Sequence, residues 1–278
     1  MEITDTIKKI ETMSVDEARK WLAGQEEGEF ILLDVRQPEE YRSGHLPGAE
    51  FIPLPELLER MKELDPAKPV LIYCRRGNRS RSAAALLSSE EFVRVYSLEG
   101  GIMAWEGQVA MGDYRKGMFL LEGRETAEEL ISLAWALEEG SRAFYEKASE
   151  LTSDQEAKDV FNTLTEAEAR HKTNILEAYG FITGKSDMVD SVNRETLRGV
   201  MEGGVRVEDV TTFLNEQNRT LQDILEVSMQ VETNALDLYI KMFREMVNGN
   251  VRKVFSTLIE EEKRHLSRLG RLLGSRVA

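Results

Sequence analysis

The one cysteine of the chain lies in a loop that could make its thiol reactive. Cys74 opens the stretch Cys-Arg-Arg-Gly-Asn-Arg-Ser, which follows the apolar run Val70–Tyr73 and precedes a helical pattern from about Ser80. The thiolate is the reactive form of cysteine, and nearby positive charge or a helix N-terminus lowers its pKa. The loop offers three arginines and, with Gly77 permitting the turn, backbone N–H groups that can hold an anion. The pattern indicates a nucleophilic cysteine that handles an oxyanion or a negatively charged intermediate.

Two chemistries use a cysteine in this way, namely phosphate-ester hydrolysis and sulfur transfer. A phosphatase of the Cys-x5-Arg type needs an arginine six positions after the nucleophile, because that side chain holds two phosphate oxygens. Here that position is Ser80, with arginines one place before it and one place after it. The spacing therefore favours sulfur transfer through a persulfide and disfavours a cysteine-dependent phosphatase.

A second candidate site consists of glutamates and histidines that recur at a fixed shift. Val160–His171 matches Val254–His265, a shift of 265 − 171 = 94 residues, and the same shift relates Glu138 to Glu232. In both segments a glutamate lies three residues before a histidine, so the two side chains share one helix face. One glutamate from each of two helices plus Glu-x-x-His from the other two is the ligand set of ferritin-like di-iron bundles. We therefore predict a site for two Fe or Mn ions, with the ligands Glu138, Glu168, His171, Glu232, Glu262 and His265.

The alternative is that these glutamates belong to solvated acidic helix faces. That interpretation suits Glu139, Glu166 and Glu261, which are not among the six aligned ligand positions. Duplication could also preserve the pattern in a bundle that binds no metal. Tyr145 and Tyr239, which each follow a predicted ligand by seven residues, are predicted to be core residues rather than redox partners.

The first part of the chain alternates between strand and helix patterns. Apolar runs at 30–35, 70–73 and 93–97 read as strands, and 54–64 and 80–87 read as helices. Such alternation predicts a parallel sheet that is covered by helices on both faces.

The second part of the chain has only helical patterns. Thr126–Glu129 and Ser153–Glu156 are capping-box starts. Two helix pairs related by one shift predict a duplicated four-helix bundle with a long crossover. The predicted helices are 126–151, 153–179, 211–247 and 250–274, with the crossover at 180–210. The predicted organisation is an α/β domain at 1–112, a linker at 113–125 and an all-α domain at 126–278.

Composition limits the function classes and the partners. The net charge of −14 argues against binding to nucleic acid or to anionic membranes. A single cysteine excludes an internal disulfide. The start of the chain lacks an apolar signal core, and no stretch approaches the roughly 20 apolar residues of a membrane span. We therefore expect a cytoplasmic protein.

Four ordered motifs give residues 10–108 a family resemblance. They are residues 32–41, 44–49, 74–80 and 99–105, and together they resemble the rhodanese family. The resemblance implies that Cys74 accepts a sulfane sulfur as a persulfide and passes it to a thiol or another nucleophile. It further implies that Asp34 and Arg36 support the loop architecture. The residues implied to hold the sulfur and its anionic donor are Arg75, Arg76, Gly77, Asn78 and Arg79. His45 is interpreted as a structural residue of its turn.

Residues 126–274 resemble the ferritin-like superfamily, most closely its rubrerythrin branch. The stretch 136–148 and the two Glu-x-x-His helices carry this resemblance, which implies a non-haem diiron centre that reacts with peroxide or oxygen. The chain departs from the branch in two places. One cysteine cannot form the four-cysteine iron site common in rubrerythrins, and Ala235 stands where an extra glutamate often follows the third-helix ligand.

The leading hypothesis is a sulfurtransferase that works through a Cys74 persulfide and is fused to a ferritin-like diiron domain with peroxide or oxygen reactivity. The alternative is a sulfurtransferase whose helical domain only binds or stores metal or mediates dimerisation. The expected partners are small sulfur donors, thiol acceptors, an electron donor and a second copy of the chain in a homodimer.

Overall fold

The chain divides into two compact units, Met1–Tyr114 and Arg115–Ala278. The computed structural model describes residues 10–112, 126–185, 199–201, 204–215, 220–246 and 248–277. The predicted linker at 113–125 lies outside the described residues, so it stays a prediction. No helix in the described ranges has the length and apolar composition that a membrane span requires.

The first unit contains a five-stranded sheet in the order β1-β5-β4-β2-β3, in which every pair of neighbouring strands is parallel. The strands are β1 Glu11–Met13, β2 Ile31–Asp34, β3 Glu50–Phe51, β4 Val70–Tyr73 and β5 Val95–Leu98. The helices are α1 Val15–Ala23, α2 Pro38–Ser43, α3 Leu57–Arg60 and α4 Asn78–Ser89, with 3-10 turns at Leu54–Glu56, Met61–Glu63 and Gly101–Ala104. The predicted parallel α/β architecture is confirmed. The sequence patterns missed β1 and β3, because strands of two or three residues are too short to show a period.

The two central strands position the cysteine loop. Every residue of β2 and β4 is buried, as expected for strands with both faces covered, and Asp34 lies beside Tyr73 in the register. Parallel neighbours end at the same edge of a sheet, and ligand sites of α/β folds form at that edge. The edge therefore brings the residues after Asp34 close to Cys74.

The second unit is an all-α bundle, which confirms the predicted fold class. Its helices are α5 Ala127–Leu151, α6 Gln155–Thr183, α7 Val207–Asn215, α8 Leu221–Glu245 and α9 Gly249–Val277. Helix α5 packs along α6, and α8 packs along α9. Contacts between α6 and α9 join the two pairs. The bundle therefore consists of two helix pairs joined by a long crossover that contains α7.

Capping side chains decide where the long helices begin. The predicted capping box of Thr126 with Glu129 starts α5. The prediction was one residue early for α6, because Asp154 is the N-cap and its side chain accepts a hydrogen bond from the backbone of Ala157. Each helix thus begins where a side-chain oxygen accepts an otherwise unpaired N–H group.

The prediction of one helix over 211–247 was wrong. Helix α7 ends at Asn215, and α8 begins only at Leu221, after a capping box of Thr220 with Asp223. The Thr220 hydroxyl accepts from the Asp223 N–H, and the Asp223 carboxylate accepts from the Thr220 N–H. Such reciprocal capping fixes a helix start, so the apolar pattern before it belongs to the crossover.

The crossover passes closely over α5 at Gly140. A Cβ atom at this position would lie 2.1 Å from the carbonyl oxygen of Val200. Only glycine allows the two backbones to approach this closely. This contact fixes the crossover two residues away from the predicted ligand Glu138.

Candidate functional site

The cysteine loop holds its sulfur at the start of a helix. Cys74 follows β4 directly and is buried, and α4 begins four residues later with Gly77 as its N-cap. The Gly77 N–H donates to the Cys74 Sγ atom at 3.1 Å. Backbone N–H groups at a helix N-terminus favour a negative charge, so the loop is built to hold a thiolate.

Hydrogen bonds lower the pKa of the thiol. Burial alone would raise the pKa of Cys74, but hydrogen bonds from the backbone and hydroxyl of Ser80 and from the backbone of Arg76 and Gly77 outweigh it. The Ser80 hydroxyl itself accepts from the Ser97 hydroxyl of β5 at 2.9 Å. The sequence interpretation missed Ser80 and Ser97 as parts of the site. A small hydroxyl residue in the first turn of the helix after the nucleophile was the available signal.

Two arginines of the loop form hydrogen bonds with side chains other than Cys74. Both terminal nitrogens of Arg79 bind the Glu40 carboxylate, at 2.7 and 2.8 Å. The Arg76 Nε atom donates to the Met103 Sδ atom at 3.4 Å. Loop amides and the Ser80 hydroxyl lower the pKa of the thiol against the effect of burial. The Glu40 hydrogen bond raises the pKa of Arg79, and the Cys74 thiolate also raises it through charge attraction, so a contribution of arginine charge to the thiolate stays a prediction. A cavity of about 360 Å³ opens at the loop, and it is lined by Cys74, Arg75, Arg76, Asn78 and Arg79. Of the residues predicted to hold the donor, Gly77 alone does not line it.

A second loop supports the cysteine loop from outside. The backbone N–H of Ile102 donates to the Cys74 carbonyl at 2.8 Å, and that of Met103 donates to the Arg75 carbonyl at 3.1 Å. Gly101 has a φ of +62°, and a Cβ atom there would lie 2.2 Å from the Cys74 carbonyl oxygen. The glycine at 101 is therefore required for the two loops to touch.

Asp34 and Arg36 form a buried ion pair at the same edge of the sheet. The Arg36 Nη2 atom lies 2.6 Å from Asp34 Oδ2 and donates to the Gly44 carbonyl at 2.6 Å. The structure thus places both residues where they fasten the end of β2 to the following turn. His45 stacks on Tyr41 and its Nδ1 atom lies 2.9 Å from the Tyr41 carbonyl.

The structure brings all six predicted metal ligands together in the interior of the bundle. They form two overlapping groups, and Glu168 belongs to both. The groups are Glu138, Glu168, His171 and Glu262, and Glu168, Glu232 and His265. Every member is at most 3% exposed. The four helices α5, α6, α8 and α9 each contribute at least one ligand.

The imidazoles point one nitrogen into the cluster. His171 Nδ1 lies 2.9 Å from Glu138 Oε2 and 2.9 Å from Glu168 Oε2. His265 Nδ1 lies 3.2 Å from Glu232 Oε2, 3.5 Å from Glu168 Oε1 and 3.6 Å from Glu262 Oε2. The two rings stack with centroids 5.3 Å apart. Each Nδ1 atom therefore faces a carboxylate from its own helix and at least one carboxylate from another helix.

Two tyrosines hold the outer carboxylates in place. The Tyr239 hydroxyl donates to Glu138 Oε1 at 2.7 Å, and the Tyr145 hydroxyl donates to Glu232 Oε1. Burial first, and the carboxylates next, raise the pKa of Tyr145 well above its usual value. Both residues are fully buried, as predicted for core residues, and they also orient two ligands.

The assignment of Glu261 to a solvated helix face was wrong. A carboxylate oxygen of Glu261 faces the Nε2 atom of His171, whereas Glu166 is exposed as expected. Glu139 pairs with Arg142 and Lys172 on the outside of the bundle. Periodicity alone could not identify Glu261, because its partner comes from another helix.

The donor set fits two divalent cations. Four carboxylates and two neutral imidazoles would carry four negative charges in a buried site, and buried charges are costly unless they are balanced. Burial and then the Glu138 charge raise the pKa of Glu168 well above its usual value. Burial lowers the pKa of His171, but the Glu138 carboxylate outweighs this and raises it. The chain therefore attracts positive charge to this cluster, and two divalent cations would supply the required four units.

Two family models match separate parts of the chain. The family model for the rhodanese-like domain matches residues 14–108, and the family model for rubrerythrin matches residues 129–273. A rhodanese-like domain protein from Staphylococcus aureus is 24% identical, with 37% of this chain and 100% of that chain covered and a TM-score of 0.34. A rhodanese-related protein from Thermoplasma volcanium is 29% identical, with 36% and 98% covered and a TM-score of 0.32.

Two curated relatives match part of the chain. The uncharacterized protein YqhL of Bacillus subtilis is 41% identical over 78 residues, which are 28% of this chain and 62% of that protein. The tRNA uridine(34) hydroxylase of Chlamydia trachomatis is 36% identical over 128 residues, with 43% of this chain and 38% of that protein covered. The chain thus spans less than two thirds of either relative. Because the rubrerythrin match alone covers more than half of the residues, the chain belongs to the rubrerythrin family and carries a rhodanese-like domain ahead of its rubrerythrin domain.

Proposed function

We propose that the rhodanese-like domain transfers sulfane sulfur through a persulfide on Cys74. The observation that supports this most is the position of the Cys74 sulfur. It accepts a hydrogen bond from Gly77 at 3.1 Å and lies beside a cavity that Arg75 and Arg76 line. Neutral amide donors at the sulfur can hold a thiolate or a persulfide anion, and the exposed arginines can attract an anionic donor.

The proposed reaction needs no external oxidant. The Cys74 thiolate attacks the outer sulfur of a donor such as thiosulfate, a new S–S bond forms, and sulfite leaves with the electron pair of the broken S–S bond. An acceptor thiolate then attacks the outer sulfur of the persulfide, and Cys74 leaves as a thiolate. Because the loop amides hold negative charge, they stabilise the cysteine both as nucleophile and as leaving group.

Intact-mass spectrometry tests this proposal directly. We expect thiosulfate to add the mass of one sulfur atom to the full chain, and a small thiol to remove it. The Cys74→Ser variant should gain nothing, since the chain has no other cysteine. Ser82→Ala, an exposed change on α4, serves as the matched control. A wild-type chain that gains no mass from thiosulfate or from a persulfide donor would contradict the proposal.

We further propose that the rubrerythrin domain holds two Fe or Mn ions through the six buried ligands. Ions of this kind supply redox chemistry toward peroxide or oxygen when they are bound. The chain itself supplies the donors, orients Glu138 and Glu232 through the two tyrosines, and excludes bulk water by burying every ligand. The alternative is a domain that only binds or stores metal or mediates dimerisation.

Metal stoichiometry and turnover separate these two possibilities. Protein purified without oxygen should contain about two Fe or Mn per chain, the number that a six-ligand carboxylate site implies. Consumption of peroxide by the loaded protein, measured with a chemical reductant, would support the diiron enzyme. Two bound ions without turnover would favour storage. A chain that binds no metal after reconstitution would leave the helical domain as a scaffold.

A second candidate function comes from one relative. The match to a protein named tRNA uridine(34) hydroxylase, at 36% identity over 128 residues, favours a role in tRNA modification. The net charge of −14 opposes binding to a polyanion. Incubation with unmodified tRNA and mass spectrometry of its nucleosides distinguishes the two, because hydroxylation at uridine 34 adds an oxygen atom and sulfur transfer adds none.

A further inference from the structure

We propose that Glu261 positions His171 from outside the metal cluster and thereby makes the two metal positions unequal. This inference rests on the proposed two-metal site. It concerns a residue that is not in either ligand group, and it follows from a break in the internal symmetry of the bundle.

The ligands themselves follow an approximate two-fold symmetry. The shift of 94 residues relates Tyr145 to Tyr239 and Glu138 to Glu232, and each tyrosine bonds the glutamate of the other half. Each histidine likewise places Nδ1 near the glutamate of its own half, at 2.9 Å for Glu138 and 3.2 Å for Glu232. A site built only from these residues would offer two similar positions.

Glu261 has no counterpart in the other half. The equivalent position is 261 − 94 = 167, which is Ala167. His171 therefore has carboxylates at both ring nitrogens, Glu138 and Glu168 at Nδ1 and Glu261 at Nε2. Among the described residues, the ion pairs of His265 all involve its Nδ1 atom. The second nitrogen is where the two histidines differ.

The location of Glu261 suits an outer partner rather than a ligand. Its side chain is 24% exposed, whereas the Glu168 and Glu262 side chains are 2% and 3% exposed. Its other oxygen pairs with Arg264 Nη2 at 3.1 Å, which holds the carboxylate at the rim. Because Nδ1 of His171 faces Glu138 and Glu168, Glu261 contacts the other ring nitrogen, Nε2.

A carboxylate at this nitrogen has a defined effect on a metal-bound imidazole. It accepts the outer N–H, which fixes the tautomer and ring orientation and makes the inner nitrogen a stronger donor. Loss of such a partner typically costs 10- to 100-fold in metal affinity. The ion beside His171 should therefore bind more tightly than it would without Glu261, and the ion beside His265 gains no such support from position 167.

Anaerobic calorimetric titration of the full chain with Fe(II) tests the inference. We expect Glu261→Ala to weaken one of the two ions by about 10- to 100-fold and to leave the other within about two-fold. Glu261→Gln, which keeps the shape and one acceptor oxygen, should weaken the same ion less. Glu260→Ala is the matched control, because Glu260 is the neighbouring exposed glutamate and pairs only with Lys263 among the described ion pairs. The Glu260→Ala variant should leave the affinities of both Fe(II) ions unchanged.

A double-mutant cycle identifies which ion is affected. The effect of Glu261→Ala should disappear in a His171→Ala background and persist in a His265→Ala background. Equal weakening of both ions, no weakening, or persistence without His171 would overturn the inference while the metal site stands. A wild-type chain that binds no Fe(II) would overturn the metal site and this inference together.

Discussion

The cysteine loop and the metal cluster of this protein are assembled in opposite ways. The donors that hold the Cys74 sulfur come from Arg76, Gly77 and Ser80, within six positions along the chain. The metal ligands come from four helices and extend from Glu138 to His265, a separation of 265 − 138 = 127 residues. A local site is set by backbone shape, whereas a distributed site is set by which charges the fold buries together.

The two sites also differ in how strongly the fold is destabilised when nothing is bound to them. The amides and the hydroxyl that bond the sulfur carry no net charge, so these donors leave no buried charge to be balanced when no sulfur donor is bound. Four carboxylates in the bundle interior must be neutralised by protons or cations, because an unbalanced buried charge is strongly destabilising. The loop is therefore sensitive to shape, and the cluster is sensitive to charge.

Removal of Glu168, the ligand shared by both groups, should have the largest effect, and the quantity affected is the metal content. Glu168 is the one residue that belongs to both ligand groups, so Glu168→Ala leaves the two groups with three and two protein ligands. We expect metal content to fall from about two ions per chain to less than one, measured by elemental analysis after anaerobic reconstitution. Sulfur transfer by Cys74 should not change.

The contrast between a local and a distributed site requires that the cysteine loop work independently of the metal cluster. Glu166→Ala removes an exposed glutamate from the same helix and should retain both ions. If Glu168→Ala abolished sulfur transfer in a chain that remains folded by circular dichroism, then the cysteine loop would not be an independent local site.

A change of shape beside the cysteine loop should have the next largest effect. Gly101→Ala would place a Cβ atom 2.2 Å from the Cys74 carbonyl oxygen, at a φ of +62° that alanine disfavours. Because the loop must move, we expect sulfur transfer to fall by at least about 100-fold, as a displacement of about 1 Å can cost that much. Steady-state assays with thiosulfate measure this.

A glycine in an ordinary environment provides the control. A Cβ atom at Gly24 would meet only van der Waals contacts at 3.6 Å, so Gly24→Ala should keep nearly full activity. Full activity in Gly101→Ala would show that the loop tolerates displacement, and metal content should be normal in both variants.

The same contrast explains what could be predicted from the sequence. The cysteine loop could be read directly, because Cys74, Gly77 and the helix that follows are contiguous. The metal ligands could be found despite their separation, because duplication repeats Glu-x-x-His at one shift. Both fold classes followed from strand and helix periods, which the sheet and the bundle confirm.

The partners of these residues could not be predicted, because they come from distant segments. Glu40 reaches Arg79 across 39 positions, Ser97 reaches Ser80 across 17, and Glu261 reaches His171 from another helix. None of these three pairs recurs at a fixed spacing along the sequence, so no sequence pattern reveals it. The start of α8 was missed for a different reason, since apolar residues recur at helical spacing in both α7 and α8, and the capping box of Thr220 with Asp223 marks the new start.

The Ser80 hydroxyl should have a moderate effect on the thiol. Ser80→Ala removes one of the hydrogen bonds that oppose burial and lower the pKa of Cys74. A single hydrogen bond contributes about 0.5–1.5 kcal/mol, so the pKa should rise by up to about one unit. Below the thiol pKa the thiolate fraction, and with it the alkylation rate by iodoacetamide, should fall by up to about ten-fold.

The rate profile against pH distinguishes this from a general loss of structure. The profile of Ser80→Ala should shift to higher pH and reach the wild-type rate at its plateau. Ser82→Ala changes an exposed serine on the same helix and should not shift the profile. An unshifted profile for Ser80→Ala would assign the low pKa to the backbone amides alone.

The smallest effect should come from the ion pair that anchors Arg79. A hydrogen bond from Arg79 lowers the pKa of Glu40 from 4.5 to about 2, against the opposing effect of burial. A lowered pKa in the folded chain stabilises it above pH 4.5 and loses this contribution as the pH falls toward about 2. The pair is about one quarter exposed, so Glu40→Gln should cost no more than about 1 kcal/mol at neutral pH.

Hydrogen exchange of the peptide that contains residues 74–80 measures this local cost. We expect Glu40→Gln to raise its exchange by up to about five-fold at pH 7, the factor that about 1 kcal/mol gives, and the difference from wild type to shrink as the pH approaches 2. Glu39→Gln is the control, because Glu39 is 81% exposed and its pair with Arg42 is 3.7 Å long. A difference that persists unchanged at low pH would mean that Glu40 acts through its shape, and the cysteine loop would then depend on shape alone.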